Sequence, residues 1–490
     1  MTMRKTPLAL AAIAAATLLL SGCSLIPTYE RPAAPVESAF PPPPSIDGAP
    51  APASGGVVAT DISYEQFFAD PRLVRLVGLS LQGNRDLQVV ALNIEQARAQ
   101  FQISRSNLYP AVGLAANASR APNTVNGNLS NSFQVGLAVT AWEIDFFGRL
   151  QSLKEQALAT YLASEEGRRA TQTSLVASVA NGWLSLLADE ELLDLSRRTV
   201  ATREDSVRLT KLRLDNGVSS ALDFRQAESL AETARATLAQ ALRQRSLDEN
   251  ALVLLLGQPL PTDIRASLSG NRLADAAPFP MLQAGLPSDL LQRRPDIRQS
   301  EQQLIAANAN IGAARAAFFP RISLTAQAGT ASNELSGLFK SGSGAFSIAP
   351  SLVLPIFDAG RNQATLDASR AGRQIAVAQY EKAIQTAFRE VSDALAGEAT
   401  LAEQLRALQA QSTAESSRFE LSDLRYRNGV ASYLDLLDAQ RSLFTAQQQV
   451  VQTRLLQRQN QVALYKALGG GWTDQAAVTP TVVPITPATP

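Results

Sequence analysis

The single cysteine of this 490-residue chain, Cys23, lies in a sequence context that points to covalent chemistry. Two basic residues, Arg4 and Lys5, precede an apolar run over residues 8–20, and Leu-Ser-Gly at 20–22 leads up to the cysteine. A charged start followed by a short apolar run is typical of a secretory signal. The run is too short for a membrane-spanning helix, which needs about 20 residues. A cysteine behind such a run is the position at which bacterial lipoprotein signals are cleaved and lipidated.

The lipoprotein pattern predicts that Cys23 becomes the mature N-terminus. We expect a signal peptide over residues 1–22, an S-diacylglycerol and an N-palmitoyl group on the cysteine, and a lipidated tether over residues 23–60. Ser24, and not aspartate, follows the cysteine, which favours sorting to the outer membrane of a Gram-negative bacterium. The tether is rich in proline, alanine and serine, with PPPPS at 41–45. We therefore expect it to be extended, without a packed core of its own.

The composition excludes most other site chemistry. The chain has no histidine, one cysteine, and 44 basic against 44 acidic side chains. Without histidine the commonest general base is missing, and so are His-Cys and His-His metal sites. A net charge of zero gives no overall attraction to nucleic acid. Carboxylate, lysine or serine catalysis stays formally open, but no constellation supports it. We expect no enzyme, no metal site and no cofactor beyond the covalent lipid.

An internal duplication is the most informative pattern in the chain. Residues 213–224 (RLDNGVSSALDF) resemble residues 425–436 (RYRNGVASYLDL), 212 positions further along. Tyr-Pro at 109–110 and Phe-Pro at 319–320 correspond at a spacing of 210. The predicted domains are a first repeat over 61–286, a second repeat over 287–469 and a C-terminal equatorial tail over 470–490.

Each repeat contains a predicted hairpin of two β-strands. Behind Pro110 and Pro320, apolar or small residues alternate with their neighbours, which is typical of strands. A polar loop and a second alternating run follow, so we place the hairpins at about residues 109–146 and 320–357. Strands of about ten residues suit a membrane, which requires roughly 9–11. The alternative to membrane-spanning strands is two soluble hairpins. The lipoprotein signal and the polar loops on one side of the hairpins disfavour this alternative.

Very long helices follow the hairpins. No proline occurs over residues 149–216 or 361–428, and helices of this length extend on the order of 100 Å. Each ends at an Asn-Gly pair, which stops a helix and starts a tight turn. Such rods must bury their apolar stripes against other helices.

Shorter helices complete the predicted helical part. They lie ahead of the strands, over 71–107 and 287–317, and behind the Asn-Gly turns, over 219–256 and 430–468. Because the return helices are about half as long as the outward ones, we expect 219–256 to stack end to end with 287–317, and 430–468 with 71–107. A proline-rich equatorial linker occupies residues 258–286.

Four strands cannot close a barrel alone, and open strand edges are not tolerated in lipid. The strands of several chains must therefore close one barrel together. A barrel of eight strands has an interior filled by side chains, whereas larger barrels leave a lumen. Twelve strands from three copies give the smallest barrel with a generous pore. The predicted fold is mixed α and β, mainly α: a trimeric β-barrel of four strands per protomer that continues into a long α-helical barrel, with an equatorial mixed region.

These features resemble the OprM/TolC-type outer-membrane factor family, and its lipidated, NodT-like drug-efflux branch fits best. The resemblance extends over essentially the whole mature chain and is carried by RYRNGV at 425–430, LLDAQRSLF at 436–444 and ALGGGW at 467–472. It implies a homotrimer in the outer membrane with a long periplasmic part. It also implies a periplasmic membrane-fusion adaptor and an inner-membrane RND pump as partners. The chain would be a passive, gated exit duct for drugs and other small molecules.

The resemblance further implies roles for residues near the Asn-Gly turns, at the periplasmic end. The turn residues expected to contact the adaptor are Asn216, Gly217, Val218, Asn428, Gly429 and Val430. Arg425 and Tyr426 would be constriction or latch residues, and Leu434 and Asp438 would project as rings into the lumen. Leu434 and Asp438 share a helix face at i,i+4. Three copies of Asp438 would form an acidic ring that favours cations.

Several alternatives stay open at the level of sequence. Asp438 also fits a solvated helix face, paired with Arg441 or Arg425, and the turn glycines need no partner to explain them. Gln226 stands opposite Asp438 in the first repeat, so any gate is built unequally by the two halves. A TolC-like duct for type I protein secretion has the same architecture. A periplasmic coiled-coil structural lipoprotein without a pore would leave the strand hairpins unexplained.

Overall fold

The computed structural model describes residues 24–42, 44, 56–122 and 129–472, and this part of the chain is mainly helical. The helices are α1 (Tyr64–Phe67), α2 (Pro71–Gly83), α3 (Arg85–Ser106), α4 (Arg149–Asp215), α5 (Ala221–Leu256), α6 (Thr262–Leu268), α7 (Pro287–Arg293), α8 (Pro295–Ala316), α9 (Arg361–Arg427) and α10 (Tyr433–Ala467). The strands are β1 (Val57–Val58), β2 (Val112–Pro122), β3 (Leu129–Ile144), β4 (Leu282–Gln283), β5 (Arg321–Ser332) and β6 (Gly344–Val353).

The chain divides into two compact units. Unit 1 comprises Met1–Ala34, Leu92–Glu166 and Arg298–Lys382, and unit 2 comprises Pro35–Ala91, Gly167–Ile297 and Ala383–Pro490. The predicted signal peptide, Cys23 and residues 473–490 of the tail lie outside the described residues. Among the helices that the structure describes, none has both the length and the apolar content needed to cross a membrane.

Unit 1 contains a four-stranded antiparallel sheet in the order β2-β3-β5-β6. The two hairpins are therefore joined through their inner strands, one from each half of the sequence. One row of paired residues crosses all four strands: Leu114, Leu137, Ala328 and Phe346. Its three large side chains are each more than half exposed in the single chain. The sheet thus presents an apolar face that this chain does not cover.

The strand β3 is longer than the predicted ten residues, at 16. It continues past an irregularity between Val139 and Trp142, where Ala141 has a φ of 48°. A bulge of this kind bends a strand without ending it, so pairing resumes and extends to Ile144. Part of the loop between β2 and β3, residues 123–128, lies outside the described residues.

The described start of the tether, residues 24–34, is extended, without helix or strand, as part of unit 1. Hydrogen bonds fix it along α8: the Arg315 guanidinium donates to the Leu25 carbonyl at 3.2 Å, and the Asn308 amide donates to the Pro27 carbonyl at 2.7 Å. Gly312 permits this approach, because a Cβ there would lie 2.7 Å from the Ile26 side chain. Residues 24–34 of the tether therefore have no core of their own and pack along one face of α8.

The Glu301 carboxylate holds the next part of the tether. It accepts hydrogen bonds from the Tyr29 hydroxyl at 3.0 Å and from two nitrogens of Arg31 at 2.7 and 2.9 Å. Glu301 is buried, and a two-pronged arginine–carboxylate contact of this kind is stronger than a neutral hydrogen bond.

The long helices α4 and α9 have 67 residues each and end one residue before the predicted Asn216 and Asn428. The return helices α5 and α10 have 36 and 35 residues. They begin two to three residues later than predicted, because a serine before each helix acts as its N-cap.

The prediction of uninterrupted helices over 71–107 and 287–317 was wrong. The first breaks at Asn84, whose backbone is extended (φ −65°, ψ 128°) and whose side chain bonds to the Leu87 amide nitrogen and to the Leu255 carbonyl, each at 3.0 Å. The second breaks at Arg294, because the following Pro295 disfavours the helical region at the residue before it.

The expected stacking partners of the return helices were also wrong. The end of α5 meets the break at Asn84 in its own repeat, where a Cβ on Gly257 would lie 2.1 Å from the Gly83 carbonyl oxygen. The end of α10 likewise meets the break in the second repeat, where buried Arg294 donates to the Ala467 carbonyl at 3.1 Å. Each return helix therefore ends against a helix of its own half.

The equatorial linker is partly ordered into secondary structure within unit 2. The strand β4 pairs in parallel with β1, so that Val57 lies opposite Leu282. The short helix α6 buries Ile264 and Leu268. Residues 56–60, which we assigned to the tether, thus belong to this mixed region.

Candidate functional site

The two Asn-Gly turns close the long helices with the same geometry. Gly217 and Gly429 both have a φ of 74°, in the left-handed region that favours glycine. The amide of Val218 donates to the Arg213 carbonyl at 2.8 Å, and that of Val430 to the Arg425 carbonyl at 2.9 Å. This six-to-one bond is the Schellman ending of a helix. Both turns lie in unit 2, and we call them, with the helix ends that they join, the turn end.

Each asparagine of the turns is used by its own helix. The Asn216 side chain donates to the Leu212 carbonyl at 2.7 Å, and the Asn428 side chain donates to the Leu424 carbonyl at 2.8 Å. Their side-chain amides thus satisfy carbonyls that a helix end leaves without partners.

Capping boxes restart the chain behind both turns. The Ser220 hydroxyl accepts from the Asp223 amide at 3.1 Å, and the Ser432 hydroxyl accepts from the Asp435 amide at 3.2 Å. The two aspartates accept in return from the serine amides. These reciprocal bonds satisfy free amides at the start of a helix, so local chemistry fixes both hairpins of helices.

Apolar side chains at the turn end face outward in this chain. Val218 and Val430, at the tips, are each about two thirds exposed. Further exposed leucines lie on the adjoining helices: Leu212, Leu222, Leu421, Leu424 and Leu434. A surface of this kind marks a protein–protein contact more often than a free surface.

Tyr426 lies inside a buried cluster and is only 6% exposed. Its ring lies 5.5 Å from that of Tyr433, and the Arg213 guanidinium carbon lies 4.6 Å from the centre of the Tyr426 ring. Arg213 also donates to the Tyr426 carbonyl at 3.0 Å. The cluster therefore joins α4, α9 and α10. These contacts enclose the Tyr426 ring in this chain, and its role as a constriction or latch residue stays a prediction.

The neighbouring Arg425 is exposed and makes no side-chain hydrogen bond or ion pair among the described residues. Leu434 is also exposed. Both side chains are thus available to another chain or to a lumen, and their gate roles stay predictions.

Asp438 forms an ion pair with Arg418, which connects α10 to α9. The alternative partners expected from the sequence, Arg441 and Arg425, are not used. Arg418 additionally binds Glu415 at 3.2 Å, one turn earlier on α9. Both side chains of this ion pair are exposed, so a change in the distance between α9 and α10 readily breaks it.

Sequence reasoning missed Arg418, although a signal for it existed. In an antiparallel hairpin of helices, residues at equal distances from the turn lie opposite each other, and Arg418 and Asp438 are each ten positions from Asn428. In the first repeat, Arg245 on α5 and Glu190 on α4 pair at 28 and 27 positions from Gly217, which follows the rule approximately.

A second polar contact between α4 and α5 carries a titratable group. Asp189 is buried, and its burial and the neighbouring Asp248 carboxyl raise the pKa of Asp189 to about 8. Arg245, which binds Glu190 and Glu249, acts in the opposite direction. Asp189 therefore holds a proton at neutral pH and joins the two helices as a carboxylic acid.

No group of three or more histidine, cysteine, aspartate or glutamate side chains in the described ranges is arranged to hold a metal ion. The predicted lipid attachment at Cys23 lies outside those ranges.

Comparison with known proteins gives consistent similarities over nearly the whole chain. The family described as outer membrane efflux protein matches two segments, residues 76–258 and 286–470. The probable efflux pump outer membrane protein TtgC of Pseudomonas putida is 46% identical over 472 residues, which cover 95% of this chain and 96% of TtgC. The outer membrane protein OprJ of Pseudomonas aeruginosa is 44% identical, with 96% and 97% covered.

A solved structure shares the fold as well. The open state of the MtrE outer membrane channel of Neisseria gonorrhoeae matches with a TM-score of 0.81 and 42% identity. The match covers 92% of this chain and 99% of that one.

Proposed function

Because the chain belongs to the outer membrane efflux protein family, we propose that it is the outer-membrane channel of a tripartite efflux pump. This conclusion rests on sequence identity, over nearly the full length of the chain, to proteins named as outer-membrane components of efflux pumps. The channel receives drugs and other small molecules from an inner-membrane RND transporter through a periplasmic adaptor. It is a passive conduit and not an enzyme, since the pump supplies the energy.

Three copies form the channel in this proposal. The sheet of unit 1 has β2 and β6 as its outer strands, and every residue of β6 is exposed in the single chain. An unpaired edge is not tolerated in lipid. Pairing β6 of one copy with β2 of the next satisfies both edges, and three copies give twelve strands and an open lumen. The apolar row through Leu114 and Phe346 supports a lipid-facing surface.

The two segments matched by the family, 76–258 and 286–470, support the proposed duplication of the chain. They correspond to the repeats that we placed at 61–286 and 287–469. Each contains one hairpin of strands and one hairpin of helices.

We further propose that Cys23 anchors the chain through its lipid. The contact of the Leu25 carbonyl with Arg315 lies six residues before the first residue of β5, Arg321. The described start of the tether, which follows Cys23 in the sequence, is therefore held near β5, and this supports a lipid attached at Cys23. Cys23→Ser is expected to abolish incorporation of labelled palmitate while the trimer still inserts. Continued labelling of this variant would show that the cysteine is not the lipid site.

The turn end is the proposed gate and docking site. Arg425, Tyr426, Leu434 and Asp438 form the gate in this proposal. The Arg418–Asp438 pair supports it as a contact between neighbouring helices that a docking adaptor can break. The exposed tips of both turns support contact with the adaptor, through Asn216, Gly217, Val218, Asn428, Gly429 and Val430.

Single-channel recording tests the gate assignment. Asp438→Ala is expected to raise conductance and antibiotic leak, because it removes both the ring charge and the partner of Arg418. The matched control is Glu415→Gln, which removes the other partner of Arg418 and leaves Asp438 in place. Equal conductance in wild type and Asp438→Ala would contradict the assignment.

Capture of the partner pump tests the function itself. Crosslinking in the source bacterium, followed by purification of this chain, is expected to recover an RND transporter with its adaptor. Recovery of an ATP-driven transporter with secreted protein cargo would instead identify the type I secretion duct that shares this architecture. Absence of conductance in planar bilayers would favour the structural lipoprotein.

A further inference from the structure

Unit 2 contains a small cavity next to the buried cluster of the turn end. It has a volume of about 170 Å³ and lies between α4, α9 and α10. Four apolar side chains form part of its wall: Leu195, Phe419, Leu443 and Phe444. Arg203 and Gln440 also line it. Its volume equals that of about six molecules of liquid water and lies below the range of drug-sized sites.

Arg203 is a buried cation without a partner. It is only 5% exposed, and its Nε and Nη1 atoms are buried without a hydrogen-bond partner among the described residues. Arg294, the other buried arginine among the described residues, is by contrast paired with Asp296 and Glu390. An isolated buried charge is strongly unfavourable unless a group of opposite charge compensates it.

The groups around Arg203 do not supply that charge. The titratable groups that act on it are the Tyr433 phenol and the Arg441 guanidinium, and neither is an anion at neutral pH. Burial lowers the pKa of Arg203 to about 10, so the side chain is still protonated at pH 7. Arg198, which also lines the cavity, is by contrast exposed and paired with Asp194 at 3.0 Å.

We propose that this cavity is a binding site for a small organic acid whose carboxylate pairs with Arg203. The planar guanidinium matches a carboxylate in shape and charge. The apolar wall fits a single ring or a short hydrocarbon body, and inorganic anions leave that wall uncovered. The Gln440 side-chain oxygen, which is buried without a partner, adds a place for a hydroxyl on the same ligand.

This site adjoins the buried cluster at the turn end, because Phe419 lines the cavity and also packs against the cluster of Tyr426 and Tyr433. The proposed binding does not depend on the proposed transport function. It joins one helix of the first half, α4, to the helical hairpin of the second half. A bound acid therefore adds a bridge between α4 and α10, where Gln440 already donates to the Ser206 hydroxyl at 3.1 Å. We expect ligand binding to stabilise the arrangement of helices seen here.

Binding of benzoate and 4-hydroxybenzoate to the purified full-length protein in detergent tests this site. Isothermal titration calorimetry at pH 7 is expected to show one saturable site per chain, with a matching rise in the thermal midpoint. Arg203→Gln is expected to weaken binding about tenfold or more. The control Arg208→Gln, which changes an exposed arginine of the same helix that pairs with Asp205, is expected to bind as wild type. Benzylamine, of similar size but opposite charge, is expected not to bind.

A second variant keeps the test independent of the Arg203 substitution. Gln447→Glu places a carboxylate in the wall of the same cavity. It is expected to raise the thermal midpoint and to abolish benzoate binding, because the new carboxylate pairs with Arg203. The proposal fails if wild type does not bind benzoate, if Arg203→Gln binds it equally, or if benzylamine binds as well. If a carboxylate of a neighbouring copy already fills the site, the wild type will not bind benzoate, and the proposal fails.

Discussion

Replacing Tyr426 by leucine tests whether the buried cluster at the turn end holds the helices together. Leucine keeps an apolar side chain at this buried position but removes the aromatic ring. The lost contacts are the stack with Arg213 at 4.6 Å and the ring pair with Tyr433 at 5.5 Å. The hydrogen bond from Arg213 to the Tyr426 carbonyl does not require the ring and is retained. The substitution therefore isolates the aromatic contribution to the contact between α4, α9 and α10.

The magnitude follows from these two contacts. A partly buried cation–π contact contributes about 0.5–2 kcal/mol, and an aromatic pair about 0.5–1.5 kcal/mol. Together they give about 1–3.5 kcal/mol per chain. Because every 1.4 kcal/mol is tenfold in an equilibrium constant, separation of these helices is expected to become about 5- to 300-fold more frequent.

Antibiotic leak through the outer membrane and single-channel recordings measure this change. Tyr426→Leu is expected to raise both the leak and the open fraction. Tyr426→Phe is the matched control, because it keeps the ring and removes a hydroxyl that is buried without a partner; it is expected to behave as wild type or to be slightly more stable. If leucine and phenylalanine give the same leak, the ring contacts do not hold this end of the channel.

Three further predictions concern other contacts. Asp189 has a raised pKa in the folded chain, so between about pH 4 and 8 the folded protein keeps a proton that the unfolded chain has released. The thermal midpoint of the wild type is therefore expected to fall as pH rises through this window. The fall is expected to be smaller in Asp189→Asn, and the exposed Asp194→Asn is the control. Glu143 is buried and binds Arg149 at 2.7 Å and Arg321 at 2.6 Å, so Glu143→Ala is expected to destabilise by about 2–3 kcal/mol, allowing for the partial exposure of the arginines; an unchanged thermal midpoint relative to the exposed Asp367→Ala would contradict this. Glu301→Ala removes the acceptor of Tyr29 and Arg31, and hydrogen exchange at residues 28–31 is expected to accelerate about tenfold, whereas Glu30→Ala leaves it unchanged.

Local chemistry made the helix ends predictable from the sequence. The turns at Gly217 and Gly429 need only a left-handed glycine, a Schellman bond and a serine cap behind it. Each of these depends on residues within a few positions, so the sequence indicates them directly. The long helices were predictable because they contain no proline, although α4 continues through the Asn-Gly pair at 181–182.

Contacts between distant segments escaped the sequence patterns. The break at Asn84 depends on the Leu255 carbonyl at the end of another helix. The pairing of α5 with its own repeat depends on the same contact, and that of α10 depends on the bond from Arg294 to the Ala467 carbonyl. The lengths of the helices alone do not specify these contacts.

Side-chain environment at the site was only partly predictable. Arg418 and Asp438 lie opposite each other because they are equally far from the turn of a helical hairpin. The sequence spacing predicts this pair only after the turn has been located. Tyr426 is buried because Arg213 and Tyr433 enclose it, and Arg213 comes from the other half of the chain. Arg203 has the sequence context of a solvated helix face, and only the packing of three helices buries it.

Accumulation of a fluorescent efflux substrate in the source bacterium tests the central claim most directly. The strain should retain the partner pump and adaptor and have this chain as their sole outer-membrane channel. Deletion of this chain is expected to raise accumulation to the level of a pump deletion, and the wild-type chain is expected to restore export. Unchanged accumulation after deletion, with the pump still active, would contradict the assignment of this chain as the exit duct.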